Sequence, residues 1–176
     1  MEHLVDADNA TCQRILAATA EVLGRKGVTK LSLTEVALQA DVSRPTLYRW
    51  FASKQELISA FARWERQTYE RGVVEATAGL SGRERLDAAL KFIVSYQHSY
   101  PGLRMVDVEP ALVIERLAQV IPLMRERLER LLPGPRGAQA AATAVRVAVS
   151  HYLVRSDDDA DFLAQLRHAV GLKDSG

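Results

Sequence analysis

The chain has 176 residues, 48% of them apolar, and a formal net charge of +1 at neutral pH. This apolar content supports a sizeable core, so we expect an ordered chain. The longest apolar runs, such as Val145–Ser150, are far too short to cross a bilayer. With Cys12 as the sole cysteine no internal disulfide forms, and no Cys/His cluster indicates a metal or another cofactor. The first ten residues are acidic and lack the apolar segment of a secretory signal, so we expect a soluble cytoplasmic protein.

Helical spacing of apolar residues dominates the chain, and no stretch alternates convincingly as a strand. A first helix is predicted over Thr11–Leu23, with Gly24 and Gly27 ending it. Ser32 followed by Glu35 has the spacing of a capping box, which predicts the start of a short second helix.

The second helix is interrupted by a turn over residues 41–43. Ser43 is a suitable N-cap for a third short helix, and Pro45 is tolerated in a first turn, where amide hydrogens lack partners in any case. Ser53 and Glu56 form another capping box, which predicts a long fourth helix.

Five further helices are predicted after residue 78, and a Pro-Gly-Pro linker at 133–135 separates the last two from the others. They are predicted over Arg83–Tyr100, Leu103–Val108, Pro110–Leu132, Ala138–Val154 and Asp159–Val170. Pro122 is expected to kink the third of these helices. The chain is therefore predicted to be all-α, with about nine helices.

A short helix, a tight turn and a second short helix over Leu33–Phe51 fit a helix-turn-helix. Leu47 and Phe51 are four residues apart, which places both on the inner face of the third helix. The outer face then presents Arg44, Thr46, Tyr48 and Arg49. These residue types suit the major groove, because arginine forks to guanine edges, threonine offers a hydroxyl and a methyl, and tyrosine reaches a phosphate.

Positive charge is concentrated around this motif. Residues 25–54 contain six Lys and Arg against two Asp and Glu, a net +4, whereas residues 55–176 contain 16 of each kind. A local basic surplus on a near-neutral chain suits a surface that faces phosphates. Charge alone leaves an ordinary solvated surface equally open.

Three short patterns follow one another along Leu33–Leu57. A Val-Ser turn ends at Ser43, a Leu-Tyr-x-x-Phe helix ends at Phe51, and a Ser-Lys-x-x-Leu start to the next helix begins at Ser53. This segment resembles the amino-terminal domain of TetR-family (TetR/AcrR-like) transcriptional regulators, and the resemblance covers about the first third of the chain. It implies a three-helix DNA-binding domain over residues 1–54, with the helix-turn-helix at about 32–51.

The resemblance also implies roles for single residues. Tyr48 resembles the family's phosphate-contacting tyrosine, and Lys54 resembles the lysine that meets the DNA backbone where the fourth helix begins. The chain departs from the pattern at Asp41, where glycine is usual in the turn, and at Trp50, which either packs on the edge of the core or skirts the DNA backbone. The residues expected to contact DNA are Ser43, Arg44, Pro45, Thr46, Tyr48, Arg49 and Lys54.

For residues 55–176 the resemblance implies a helical domain that binds an effector and forms a homodimer through the last two helices. Small and apolar stripes on these helices are compatible with a four-helix interface, and packing within one subunit is the alternative. The stripes are Ala141, Ala144, Val145, Ala148, Val149 and Tyr152 on one helix, and Phe162, Leu163, Leu166 and Val170 on the other. A dimer places two recognition helices ~34–36 Å apart, which suits a pseudo-palindromic DNA operator.

The same resemblance places an effector cavity among the fourth to seventh helices. The candidate lining is Trp64, Phe92, Tyr96, Tyr100, Met105, Leu112, Leu117 and Met124, with His98, Arg104, Asp107 and Glu109 as polar anchors. Each aromatic or methionine side chain also suits a core position, but the set favours an apolar or aromatic effector. The expected function is that of a repressor that such an effector releases from DNA.

Two alternatives remain open at this point. A small helical enzyme would need convergent acids, bases or ligands, but the four histidines are scattered and no catalytic motif occurs, so the chain is not expected to be an enzyme. A purely architectural DNA-binding protein would share the helix-turn-helix and lack the effector.

Overall fold

The computed structural model describes residues 10–132, 134–154 and 158–172. Within these ranges it contains nine α-helices, one 3-10 turn and no strand, so the predicted all-α class is confirmed. The α-helices are α1 (Ala10–Lys30), α2 (Leu33–Gln39), α3 (Arg44–Trp50), α4 (Lys54–Ala76), α5 (Gly82–Ser99), α6 (Met105–Val108), α7 (Pro110–Glu129), α8 (Gly137–Leu153) and α9 (Asp159–Ala169), with the 3-10 turn over Pro101–Arg104. Pro133 of the predicted linker and residues 1–9 of the predicted first domain lie outside the described residues.

The described residues divide into two compact units. The first contains α1 to α3 and α4 as far as Arg71, together with Pro101–Pro110, and the second contains Gly72–Tyr100 and the residues from Ala111 onward. The Pro101–Pro110 segment thus packs against α1, in the same unit as the helix-turn-helix, although it lies within the second predicted domain. The functional division into residues 1–54 and 55–176 stays a prediction.

The first helix is longer than predicted. α1 continues through Gly24 to Lys30, with a non-helical residue at Gly27 (φ +74°, ψ 177°). Gly24 is buried, and a Cβ there would collide with the backbone carbonyl of Pro101. The prediction that Gly24 ends the helix was therefore wrong, because this glycine permits a close approach of two backbones rather than a turn.

Glu109 closes the break in α1. Its carboxylate accepts hydrogen bonds from the backbone N–H groups of Val28 (2.6 Å) and Thr29 (2.8 Å). Burial opposes ionisation of Glu109, but the hydrogen bonds from Thr29 and Val28, together with the charge of Lys54, hold its pKa below the usual range. A Cβ at Gly27 would collide with this carboxylate. The role of Glu109 as a possible effector anchor stays a prediction, and in this structure its carboxylate binds the backbone of α1.

The second unit has an apolar core to which α5, α8 and α9 contribute. The six most buried residues of the two predicted dimer stripes lie in this core: Ala141, Ala144, Val145, Ala148, Phe162 and Leu166. The guanidinium of Arg167 on α9 also forms two hydrogen bonds to the carboxylate of Asp87 on α5, at 2.7 and 3.1 Å. These six side chains therefore pack within one subunit, where the small ones let α8 approach its neighbours in the same chain, and the dimer interface stays a prediction.

α7 is a single helix that continues through Pro122, at which it lacks one backbone N–H donor.

In the part of the chain that the structure describes, no helix combines the length and the apolar character needed to cross a membrane.

Candidate nucleic-acid interface

The second helix begins as the capping box predicts. Ser32 has extended backbone angles, and its Oγ accepts a hydrogen bond from the backbone N–H of Glu35 at 3.2 Å. Val36 and Ala37 are buried on the inner face of α2. The carboxylate of Glu35 pairs with the ammonium of Lys26 on α1, which links the two helices.

The turn between α2 and α3 depends on a left-handed residue. Asp41 has φ +51°, a value that glycine adopts freely and aspartate tolerates better than most other residues. The backbone N–H of Val42 donates a hydrogen bond to the carbonyl of Ala37 at 3.0 Å, and the Val42 side chain is half-buried. The departure from glycine at position 41 is therefore compatible with the turn.

Ser43 caps α3. Its Oγ accepts a hydrogen bond from the backbone N–H of Thr46 at 3.2 Å and lies 2.8 Å from the Oγ1 of Thr46. Pro45 occupies the first turn of the helix, where its missing N–H has no helical partner to lose. The hydroxyl groups of Ser43 and Thr46 therefore help to fix the N-terminus of α3.

The two faces of α3 differ as predicted. Leu47 and Phe51 are both completely buried, and burial of such side chains contributes roughly 1.5–3 kcal/mol each. Arg44, Tyr48 and Arg49 are exposed on the outside, and Tyr48 retains 45% of its accessible surface. The helix is thus anchored by its apolar face, and long polar side chains remain accessible.

Trp50 is half-buried at the end of α3, and its indole Nε1 is enclosed without a hydrogen-bond partner among the described residues. This burial agrees with packing at the edge of the core, and contact of Trp50 with the DNA backbone stays a prediction.

The start of α4 is also held by hydrogen bonds. The backbone N–H of Glu56 donates to the Oγ of Ser53 at 3.1 Å, and the Glu56 carboxylate accepts from the N–H of Ala52 at 2.8 Å. The ammonium of Lys54 donates to the backbone carbonyl of Thr29 at 2.9 Å. An ammonium group has three donors, so this contact positions Lys54 and leaves two of its donors for another ligand.

The predicted effector-lining residues are divided between the two units. Trp64 and Met105 lie in the first unit, where the Trp64 Nε1 donates to the Oε1 of Gln13 at 2.5 Å and Met105 is buried. The other six lie in the second unit: Phe92, Tyr96, Tyr100, Leu112, Leu117 and Met124. The three aromatic residues among them lie in a row along α5 and at the residue that follows it, with ring centroids 5.8 and 5.0 Å apart. One polar anchor candidate, His98, lies 3.2 Å from the carboxylate of Asp159.

The residues that build the helix-turn-helix match a known family. Residues 15–61 match the model of bacterial regulatory proteins of the tetR family. Residues 15–61 therefore form a TetR-family domain. Members of this family are regulators of transcription rather than enzymes, in agreement with the expectation that this chain is not an enzyme.

Curated relatives agree with this family. The chain is 28% identical over 127 residues to the HTH-type transcriptional regulator UidR of Escherichia coli K12, a match that covers 72% of this chain and 63% of UidR. It is 32% identical over 95 residues to the HTH-type transcriptional activator FasR of Mycolicibacterium smegmatis, covering 53% of this chain and 43% of FasR. The matches therefore span less than two thirds of the length of these relatives.

The fold is also that of a solved protein. A TetR-like transcriptional regulator from Rhodococcus sp. RHA1 superposes with a TM-score of 0.71 at 19% identity, over 92% of this chain and 93% of the other. At this identity the likeness establishes the fold, with its amino-terminal helix-turn-helix.

Proposed function

We propose that the chain binds double-stranded DNA and regulates transcription by inserting α3 into the major groove. The observation that carries this proposal is the division of α3 into a buried and an exposed face. Leu47 and Phe51 hold the helix to its unit, while Arg44, Tyr48 and Arg49 stay accessible.

The accessible side chains have distinct chemical roles in this proposal. The guanidinium groups of Arg44 and Arg49 donate to the O6 and N7 of guanine, and the hydroxyl of Tyr48 donates to a backbone phosphate. Lys54 directs its two remaining ammonium donors to a second phosphate. Ser43, Pro45 and Thr46 lie in or beside the first turn of α3, which approaches the bases first.

A single α3 contacts too few bases for a specific site, so the proposal includes a homodimer through α8 and α9. With the small residues of α8 buried in their own core, the half-buried apolar residues on these helices are the better interface candidates. They are Val147, Val149 and Leu163, with Val170 directly after α9. Two recognition helices ~34–36 Å apart then read successive major grooves of a pseudo-palindrome.

The proposal further includes an apolar or aromatic effector that releases the repressor from DNA. The stacked rings of Tyr96 and Tyr100, together with Phe92, support an aromatic ligand, because flat aromatic groups pack well on such rings. Such an effector binds more tightly to the dimer conformation in which the spacing of the two recognition helices does not fit DNA. It therefore shifts the population toward that conformation, by an amount set by its difference in affinity for the two conformations. Since FasR is named an activator, the sign of the regulation is part of the proposal.

Selection of bound sites from a random pool of DNA duplexes tests the DNA-binding function directly. The expected product is a pseudo-palindrome whose two half-sites lie about one helical turn apart. Recovery of no preferred sequence by the full chain would contradict the proposal. The Arg63→Gln variant controls for the loss of one positive charge, because Arg63 is exposed about two and a half turns after the start of α4, and it should select the same sequence as the parent.

A further inference from the structure

A groove of about 560 Å³ opens on the first unit, beside the helix-turn-helix. The last turns of α1 and the start of α2 supply most of its walls. The polar lining residues are Arg25, Lys26, Lys30, Ser32, Thr34 and Glu35. Three cations against one carboxylate give this lining a formal charge of +2, and two hydroxyl groups add hydrogen-bonding capacity. Such a lining matches an anion with several oxygens, above all a phosphate group.

The three cations differ in how far they are already engaged. The guanidinium of Arg25 donates one hydrogen bond to the Oε1 of Gln39 at 2.9 Å and keeps its other donors. Lys26 pairs with Glu35. Lys30 is exposed and has no ion pair or side-chain hydrogen bond among the described residues. A phosphate can therefore approach Lys30 without breaking an existing contact.

Glu35 is the one acidic residue of the groove, and it competes with any bound anion. Its carboxylate occupies Lys26, and both side chains are solvent-accessible, with 35% and 45% of their surface exposed. The hydrogen bond from Lys26 holds the pKa of Glu35 below its usual range, so the carboxylate is ionised at neutral pH. An incoming phosphate must either displace this carboxylate from Lys26 or bind beside its negative charge.

We propose that the groove between the end of α1 and the start of α2 binds a phosphate group through Lys30 and Arg25, and that Glu35 weakens this binding by competing for Lys26. The phosphate belongs either to the DNA backbone or to a small phosphorylated molecule. Lys30 directly follows Thr29, whose carbonyl accepts a hydrogen bond from Lys54 at 2.9 Å. The groove thus adjoins the residue proposed above to meet a DNA phosphate, and the DNA-backbone assignment rests on that proposed function.

Titration with inorganic phosphate and pyrophosphate tests the groove without DNA. Amide chemical shifts of residues in α1 and α2 are followed by NMR at constant ionic strength, for the parent, Lys30→Gln and Glu35→Gln. The first variant should weaken binding about two- to five-fold and the second should strengthen it by a similar factor, the range expected of exposed charge contacts. Glu35→Gln keeps the cap of α2, because Ser32 accepts from the backbone N–H of residue 35 and not from its side chain.

The salt dependence of DNA affinity tests the other source of phosphate. Each neutralised phosphate contributes about −0.9 to the slope of log affinity against log salt concentration. Lys30→Gln should therefore make the slope shallower by about one for each DNA-bound copy of the chain, and Glu35→Gln should make the slope steeper. The matched controls are Arg14→Gln, at an exposed cation near the start of α1, and Glu75→Gln, at an exposed carboxylate on α4. Neither control should move the slope.

The two arms separate the outcomes. If Lys30→Gln and Glu35→Gln change phosphate affinity in opposite directions but leave the salt slope unchanged, the groove binds a small phosphorylated molecule. If the two variants change the salt slope in opposite directions, the groove binds the DNA backbone. The proposal is overturned if neither variant differs from the parent in the phosphate titration or from its control in the salt slope. It is also overturned if both variants weaken binding, since that result indicates a loss of local structure. If the parent binds no DNA at all, the proposed function fails while the phosphate titration still decides whether the groove binds phosphate.

Discussion

Leu47→Ala and Arg49→Ala should separate the two faces of α3, because they alter neighbouring residues of one short helix. Leu47 is completely buried, so its truncation removes apolar contacts and leaves a cavity. Substitutions of this kind cost about 2–5 kcal/mol of the free energy of unfolding. Arg49 is exposed, and its truncation should change that free energy by no more than about 0.5 kcal/mol.

The effects on DNA binding should be reversed. If Arg49 reads a base edge, Arg49→Ala weakens binding to the selected site by about 1–3 kcal/mol, or about 5- to 150-fold. Under conditions where Leu47→Ala is still folded, its affinity should stay much nearer that of the parent, since Leu47 presents no group to DNA.

Urea denaturation followed by circular dichroism gives the free energy of unfolding, and fluorescence anisotropy with the selected duplex gives the affinity. The denaturation slope should be the same for all three proteins, so that shifts in midpoint report stability. The division of α3 into an anchoring and a reading face would be refuted if Arg49→Ala lost as much stability as Leu47→Ala. It would also be refuted if Leu47→Ala were as stable as the parent.

Three further substitutions test the surrounding geometry. Gly27→Ala should destabilise the fold by more than Gly79→Ala. Both glycines have positive φ, which costs an L-residue roughly 1–2 kcal/mol, but only at Gly27 would the new Cβ collide with Glu109. Thermal denaturation of the two variants measures the difference. Glu109→Gln should be less stable than the parent at pH 7. The pKa of the folded carboxyl lies below its ordinary value of 4.5, so the difference in stability between the two proteins should close as the pH falls below 4.5. Urea midpoints at a series of pH values measure this difference. A difference that stays constant with pH would show that the charge of Glu109 does not contribute. Tyr48→Phe should lower affinity about equally for selected and random duplexes in parallel anisotropy titrations, since a phosphate contact carries no sequence information, and a loss confined to the selected site would instead make Tyr48 a base reader.

Local sequence signals predicted the helix-turn-helix accurately, because they act over three or four residues. The caps at Ser32, Ser43 and Ser53 each use a side chain that bonds to a backbone group three residues ahead. The burial of Leu47 and Phe51 follows from their spacing in one helix. None of these features depends on a distant part of the chain.

The contacts that the sequence did not predict join residues far apart in the chain. Glu109 meets Val28 and Thr29 about 80 positions away, and no helical period records such a partner. Gly24 was misread for the same reason, because a glycine that permits close packing looks identical in sequence to one that ends a helix. The small residues of α8 likewise indicate a close helix neighbour without indicating whether it belongs to the same chain.

The two carboxylates within the basic segment 25–54 have different physical explanations. At Asp41 the turn requires a residue that tolerates positive φ, a need that glycine or asparagine would also meet without a charge. At Glu35 the carboxylate joins α2 to α1 through Lys26, so its charge has a partner within the fold. Both lower the positive potential of the surface proposed to face DNA, and non-specific affinity depends mainly on that potential. If Arg44 and Arg49 contact bases as proposed, the two acidic residues therefore shift the balance of binding free energy from the phosphate backbone toward those base contacts.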